Sequence, residues 1–202
     1  AATGEYILLL NNDIEVITPD WLQEMLMFAQ RPDVGAVGAM LYYPDDTIQH
    51  AGVILGIGGV AGHAHKYFPR GDFGYMSRAT IAQDLSVVTA ACMLLPRHVW
   101  QEIGGLDETF EVAFNDVDMC MRIRNPGRAV MKTLTNISAY PDDVQKLFDL
   151  FAEDTPEKRK RFEGEVRRFQ ERWERELAEG DPYYNPNLTL VREDFSAKRE
   201  NE

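Results

Sequence analysis

The sequence predicts an α/β fold with an open sheet, on three observations. Tyr6 to Leu10 (YILLL) is a short, continuous apolar run ending in the polar Asn11-Asn12-Asp13. That is the pattern of a buried strand whose carboxyl end reaches a surface. Further strand-like runs then alternate with segments of helical spacing. Near the C-terminus, Phe162, Val166, Phe169, Trp173 and Leu177 recur at intervals of three or four, which places them in one stripe along a long helix.

The elements follow in order. Thr18-Pro19-Asp20 reads as an N-cap with proline at the first helical position. Trp21, Leu22, Met25, Leu26 and Ala29 carry that helix until Pro32 stops it. Val34 to Tyr43 is a second strand, Pro44-Asp45-Asp46 a turn, and Ile48 to Ile57 a third strand. Gly58 to Arg78, rich in Gly, His and aromatic residues, reads as a long loop. Leu85 to Leu95 is another strand, and Pro96 to Ile103 a short helix closed by Gly104-Gly105. Asn115 is expected to cap a helix over Asp116 to Arg124, stopped by Asn125-Pro126-Gly127. From Arg128 to Ala152 no pattern is clear. Asp154-Thr155-Pro156-Glu157 opens the amphipathic helix, Asp181-Pro182 begins an extended tail, and SAKRENE is expected to fray. The division is therefore 1–127, a divergent segment 128–152, and a helix with tail over 153–202.

Composition narrows the function. A chain of 202 residues accommodates one sizeable core plus an appendage. The net charge of −12 argues against a nucleic acid as partner, and an anionic ligand would need a metal or local cations to offset it. No apolar run approaches the ~20 residues of a transmembrane helix. No leader pattern precedes the first strand, and Cys92 and Cys120 lie in apolar stretches as buried free thiols, so a cytoplasmic location is expected.

Two constellations could carry chemistry. Asp13, after the first strand, could give a carboxylate to Mg²⁺ or Mn²⁺, and Asn11 could hydrogen-bond a sugar hydroxyl. Phe114-Asn115-Asp116-Val117-Asp118 opens a helix, where the dipole favours a carboxylate, as a general base requires. Asp116 and Asp118 are about 200° apart around a helix and cannot share a pocket, so Asp116, nearer the turn, is the candidate. Gly56-Ile57-Gly58-Gly59-Val60-Ala61 mimics a dinucleotide fingerprint, but the GHAHKYFPRG that follows is not a helix, so a phosphate cradle is rejected. His63 and His65 fit no zinc spacing and read as a loop pair at a surface or pocket rim.

The order of the pieces is more specific than any one of them. GEYILLLNNDIEVITPDWLQEML, VGAVGAMLYYPDDTIQHAGVILGIGGVAGHAH, VTAACMLLPRHVWQEIGGLDETF and FNDVDMCMRIR together closely resemble family-2 glycosyltransferases of bacterial surface-polysaccharide synthesis. With the closing DPYYNPNLTL and DF, the resemblance covers residues 3 to 124 and 153 to 195. It implies a partial GT-A fold (Rossmann-like, with a mixed sheet) and an inverting transfer of sugar from a nucleotide-diphosphate donor to a glycan or lipid-linked acceptor. By position, Asn11-Asn12-Asp13 stands for the family's DxD, placing Asp13 on Mg²⁺ or Mn²⁺. Asn115-Asp116 stands for its acidic pair, making Asp116 the base, and Gly104, Gly105, Asp107 and Glu108 match the loop beside donor and acceptor. The location it implies is cytoplasmic, reaching the inner face of the membrane through partners.

Two departures qualify this resemblance. The family's nucleotide-binding half, some ~100 residues of βαβ units ahead of the NND strand, has no counterpart in this sequence. VMKTLTNISAYPDDVQKLFDLF stands where the family usually carries a metal-site histidine, and it has none. The alternative expectation is accordingly a non-catalytic partial domain that forms a homo-oligomer or binds another protein through an exposed sheet edge. A metal-dependent hydrolase built on Asp13 and Asp116 would need more ligands than the sequence offers.

Overall fold

The computed structural model describes residues 2–139 and 155–202. One mixed sheet organises it. Its strands are β1 (Tyr6–Leu10), β2 (Ile14–Val16), β3 (Val34–Tyr42), β4 (Ile48–His50), β7 (Gln83–Leu85), β8 (Cys92–Pro96) and β9 (Ala129–Ala139). The order is β1-β8-β3-β9-β2, with β4 on one part of β3 and β7 on one part of β9. Among the described residues only β3 and β9 run parallel; every other pairing in this sheet is antiparallel. A separate hairpin joins β5 (Val53–Leu55) to β6 (Ala61–His63).

Each sheet face has its own apolar layer, which explains why β3 is buried along its whole length. On one face Val37, Ala39 and Leu41 meet Met25 and Ala29 of α1 (Trp21–Ala29). On the other, Ala36, Met93, Leu95 and Val130 meet α2 (Arg97–Ile103), α3 (Asn115–Arg124) and α4 (Pro156–Arg172) through Val99, Met119, Ile123 and Phe169. Thr155 caps α4 by accepting from the Lys158 amide at 3.3 Å, with proline next, as its sequence predicts. The helix breaks at Trp173, and α5 (Glu174–Glu179) continues beyond it. Phe169 and Trp173 of the predicted stripe are buried, Val166 and Leu177 pack at its margin, and Phe162 stays 42% exposed.

Several expectations are corrected. Thr18 does not cap α1: its hydroxyl accepts from the Asn136 amide, and the helix begins after Asp20 without a side-chain cap. The third strand splits into β4 and β5 at Gly52, whose φ of +102° turns the chain out of the sheet. A Cβ there would come within 2.1 Å of Leu85 Cδ1, so glycine is also required for space. Leu85 to Leu95 likewise splits into β7 and β8, and the 58–78 loop holds β6 and two short 3₁₀ turns, after Ile57 and at Tyr75–Ser77. Ala129 to Ala139, where no pattern is clear, forms a strand at the centre of the sheet. Residues 140–154, including Asp154, lie outside the described residues.

The tail is neither extended nor frayed. Tyr184, Leu188 and Phe195 pack on Ile54 and Ile57 of the hairpin region, and the Lys198 amide donates to the Asn187 carbonyl. Asp181, mostly buried, accepts from the Leu55 amide and the Ser86 hydroxyl, both at 2.8 Å, which ties tail to hairpin and sheet. Cys92 and Cys120 are buried free thiols, and burial pushes each up to about 12.

Candidate active site

The two predicted constellations meet on one dipeptide. β1 and β8 are in antiparallel register with Leu10 opposite Cys92, so the chain leaves β1 beside Ala90-Ala91. There the Asn11 amide donates to the Ala91 carbonyl at 2.9 Å. The Ala90 amide donates to Asp116 Oδ2 at 3.1 Å. Asp116 Oδ1 accepts from the Val117 amide at 2.8 Å, so both carboxylate oxygens are oriented by backbone. Asp116 is half-buried in the first turn of α3.

The entry to α3 differs from the predicted cap. Phe114, not Asn115, is the capping residue, with φ +64°, and Asn115 is the first helical residue, its Oδ1 accepting from the Asp116 amide at 2.7 Å. A non-glycine left-handed residue costs about 1–2 kcal/mol, and packing holds it there. The Phe114 ring lies 5.4 Å from that of Phe169 and 5.7 Å from that of Phe162. Asp118, two residues beyond Asp116, turns into the protein, fully buried, and pairs with Arg122 (2.8 Å), Arg172 (2.9 Å) and the Trp173 indole (3.0 Å).

The 104–114 loop is held by α4. Gly104 closes α2 at φ +75°, and a Cβ on Gly105 would press on the Trp100 ring at 2.9 Å. Asp107 accepts from the Thr109 hydroxyl and amide and pairs with Arg172 at 2.6 Å. These contacts, the hydroxyl first, hold its carboxyl well below the usual range. Glu165 of α4, 2% exposed, accepts from the amides of Glu111, Val112 and Ala113 at 2.8–3.2 Å. Arg168 donates to the Thr109 carbonyl. Asp107 is thus engaged in holding the loop to α4, whereas Glu108 is exposed.

Asn11 and Asn12 are exposed and Asp13 is half-buried. Asp13 Oδ1 is buried without a hydrogen-bond partner among the described residues. Among the described residues, however, no group of three or more His, Cys, Asp or Glu side chains could hold a metal ion. One carboxylate does not make a divalent-cation site of the usual kind. The described residues therefore do not fit a resident metal by themselves.

Sequence reasoning missed His50 and misplaced His65. His50 is fully buried, with Nδ1 3.0 Å from His63 Nδ1, and its Nε2 accepts from the Thr89 amide at 3.3 Å. His65, expected beside His63 at a rim, is instead 1% exposed and stacks on Phe195 at 4.1 Å. No spacing rule links positions 50 and 63; the hairpin register of Val53 with His63 brings them together. A groove of about 610 Å³ opens between Val60, Phe162 and Val166, with Phe114 in its wall. A larger cavity of about 690 Å³ lies between Leu55, Met121 and the tail; neither cavity is lined by a predicted site residue, and the smaller one approaches Asp116 only through Phe114, two residues before it.

Known proteins share this architecture. Residues 1–168 match the family "Glycosyltransferase like family 2". The chain is 47% identical over 194 residues to "Uncharacterized protein y4gI" of Sinorhizobium fredii, covering 95% of this chain and 21% of that protein. It is 35% identical over 206 residues to the O-antigen biosynthesis protein RfbC of Myxococcus xanthus, covering 98% of this chain and 15% of that protein. The chain thus spans about a fifth or less of the curated relatives it matches. A crystal structure of GalNAc-T7 with UDP, GalNAc and Mn²⁺ superposes with a TM-score of 0.52 at 10% identity, over 68% of this chain and 28% of that one, a likeness of fold. With a mixed sheet of GT-A type and a family match over most of its length, the chain belongs to the glycosyltransferase-like family 2.

Proposed function

We propose that this chain is the acceptor-side part of an inverting glycosyltransferase that uses a nucleotide-diphosphate sugar, with Asp116 as the general base. The observation that carries the reading is the attachment of Asp116 and of the Asn11-Asn12-Asp13 turn to the same Ala90-Ala91 dipeptide. In the reaction, Asp116 takes the proton of an acceptor hydroxyl as its oxygen bonds to the anomeric carbon. The bond from that carbon to the diphosphate breaks on the opposite side, and the nucleotide diphosphate leaves with the electron pair. Membership of family 2, with an O-antigen biosynthesis protein among the relatives, favours a glycan or lipid-linked acceptor in polysaccharide assembly, with the reaction in the cytoplasm. Asn12, Asn115, Gly104, Gly105 and Glu108 are assigned to the walls around donor and acceptor, and Asp107 to fixing the loop that carries them.

The structurally similar GalNAc-T7 was solved with Mn²⁺. In this chain Asp13 is the one predicted ligand, and any Mn²⁺ or Mg²⁺ acting as a Lewis acid on the departing diphosphate would need its other ligands from the diphosphate, water or groups outside the described residues. Nothing in the proton transfer to Asp116 depends on it.

The deciding experiment is Asp116→Asn, assayed as nucleotide release from UDP-, GDP- and dTDP-hexoses. The variant should keep its fold and lose at least ~10²-fold in rate; an unchanged rate means another group is the base. A second reading, association through a sheet edge in place of catalysis, is favoured by one feature. β1 is a terminal strand of the sheet, paired only with β8 among the described residues.

A further inference from the structure

Two consecutive backbone amides grip two different side chains. The Thr89 amide donates to His50 Nε2, and the Ala90 amide to Asp116 Oδ2. His50, in turn, meets His63 edge-on, with the ring planes at 84° and the two Nδ1 atoms 3.0 Å apart. Proton counting then fixes both tautomers. An Nε2 that accepts an amide proton carries none, so neutral His50 bears its proton on Nδ1 and donates it to His63. His63 Nδ1 must therefore be bare, and its single proton sits on Nε2. Charging His63 would set two N–H groups against each other at 3.0 Å, and burial also pushes both imidazoles down.

His63 is partly buried at the end of β6, where its own amide donates to Glu193 Oε1 at 3.1 Å. Asp116, Lys66, His50 and the Glu193 carboxylate are the charged or titratable groups around it. The neighbouring amides of Thr89 and Ala90 hold His50 and Asp116, and His63 lies against His50, so His63 and Asp116 gather around one stretch of backbone. No hydrogen bond joins their side chains, and the bonds Asp116 accepts come from backbone amides. A neutral N–H donor beside a carboxylate it does not touch suits a hydroxyl group, which accepts one hydrogen bond and donates another. We infer that His63 orients the acceptor: its Nε2–H donates to the acceptor hydroxyl oxygen, so that the hydroxyl proton points to Asp116. His50 is then a positioning residue that keeps the His63 proton on Nε2. The inference rests on the reading of Asp116 as the base.

Two measurements on the whole chain test it. Long-range ¹H–¹⁵N spectra of the imidazoles should show His50 as Nδ1–H and His63 as Nε2–H at pH 7, with His50→Phe releasing His63 to sample both tautomers. His63 found charged at pH 7, or protonated on Nδ1, overturns the inference. In the nucleotide-release assay with methyl glycosides as acceptors, His63→Phe should lose roughly ten- to hundredfold in acceptor kcat/KM, the size of one lost, well-placed hydrogen bond. Donor KM should be unchanged. His63→Gln, which puts an amide N–H where Nε2 was, should recover most of that loss, and His50→Asn should outperform His50→Phe for the same reason. Full rate in His63→Phe while Asp116→Asn is inactive sinks the inference alone. A wild-type chain that transfers nothing, or an Asp116→Asn variant at full rate, sinks the underlying reading, and the inference falls with it.

Discussion

At the scale of single residues, the informative groups are polar ones placed where apolar ones belong. Lys132, on β9, is fully buried, and its Nζ has no hydrogen-bond partner among the described residues. Burial, followed by the Arg78 charge, pushes it down to about 8. The unfolded chain, with an ordinary lysine near 10.5, then binds more protons than the folded one between about pH 8 and 10.5. Stability should therefore rise with pH across that window, by up to about 3 kcal/mol, and the penalty is at its fullest below pH 8. Lys132→Met should be the more stable protein at pH 7.5, with the gap to wild type narrowing at pH 9.5. Urea midpoints at the two pH values check this, and an equal gap at both would show that Lys132 is solvated in the folded state. Neither Lys132 nor the His50–His63 pair was legible in the sequence. Each sits in an ordinary strand or loop context, and its surroundings come from residues far away in the chain. The place of Asp116 in the first turn of a helix was legible, because that is a local pattern, while the role proposed for it came from the order of the family motifs.

At the scale of elements, α4 holds the loop that leads to Asp116. Glu165 collects the amides of residues 111–113, and Arg172 joins Asp107 to the buried Asp118. Charge-assisted bonds to buried carboxylates are worth about 1.5–3 kcal/mol each, though their sum is not additive. Glu165→Gln keeps the shape and loses the charge, so it should destabilise the chain by about 2 kcal/mol. It should also speed hydrogen exchange at Glu111, Val112 and Ala113 relative to β3; unchanged protection there would mean the loop is held by Phe110 and Phe114 instead. The existence of α4 was plain from its apolar stripe and its Thr155-Pro156 start. The strand breaks at Gly52 and between β7 and β8 were not, since a continuous apolar run reads the same whether it forms one strand or is divided between two, in different sheets (β4 and β5) or in one (β7 and β8). β9 escaped notice because Lys132, Thr133 and Thr135, all buried, interrupt the apolar pattern that marks a central strand.

At the scale of the whole molecule, the question is what lies against β1. This strand forms one end of the sheet, its residues are mostly half-buried, and Leu10 is 44% exposed. An unpaired edge with apolar side chains favours pairing with another strand. If the chain associates with a second copy there, sedimentation velocity should report a dimer that Leu8→Lys converts to a monomer. A monomer at high concentration for the unaltered chain would remove the self-association reading and leave the catalytic one.

The sequence alone determined the class of fold, the main helices, the buried thiols and the Asp116 turn, because these depend on periodicity, capping and hydropathy within a short window. The order of family motifs added the GT-A assignment. Only the tertiary structure decided that Asn11 and Asp116 share the Ala90-Ala91 dipeptide, that Asp107 is tied to α4, and that His50 meets His63 through their Nδ1 atoms. Those are contacts between residues distant along the chain. Sheet register, hairpin register and helix docking create them, and none of the three is written in local composition.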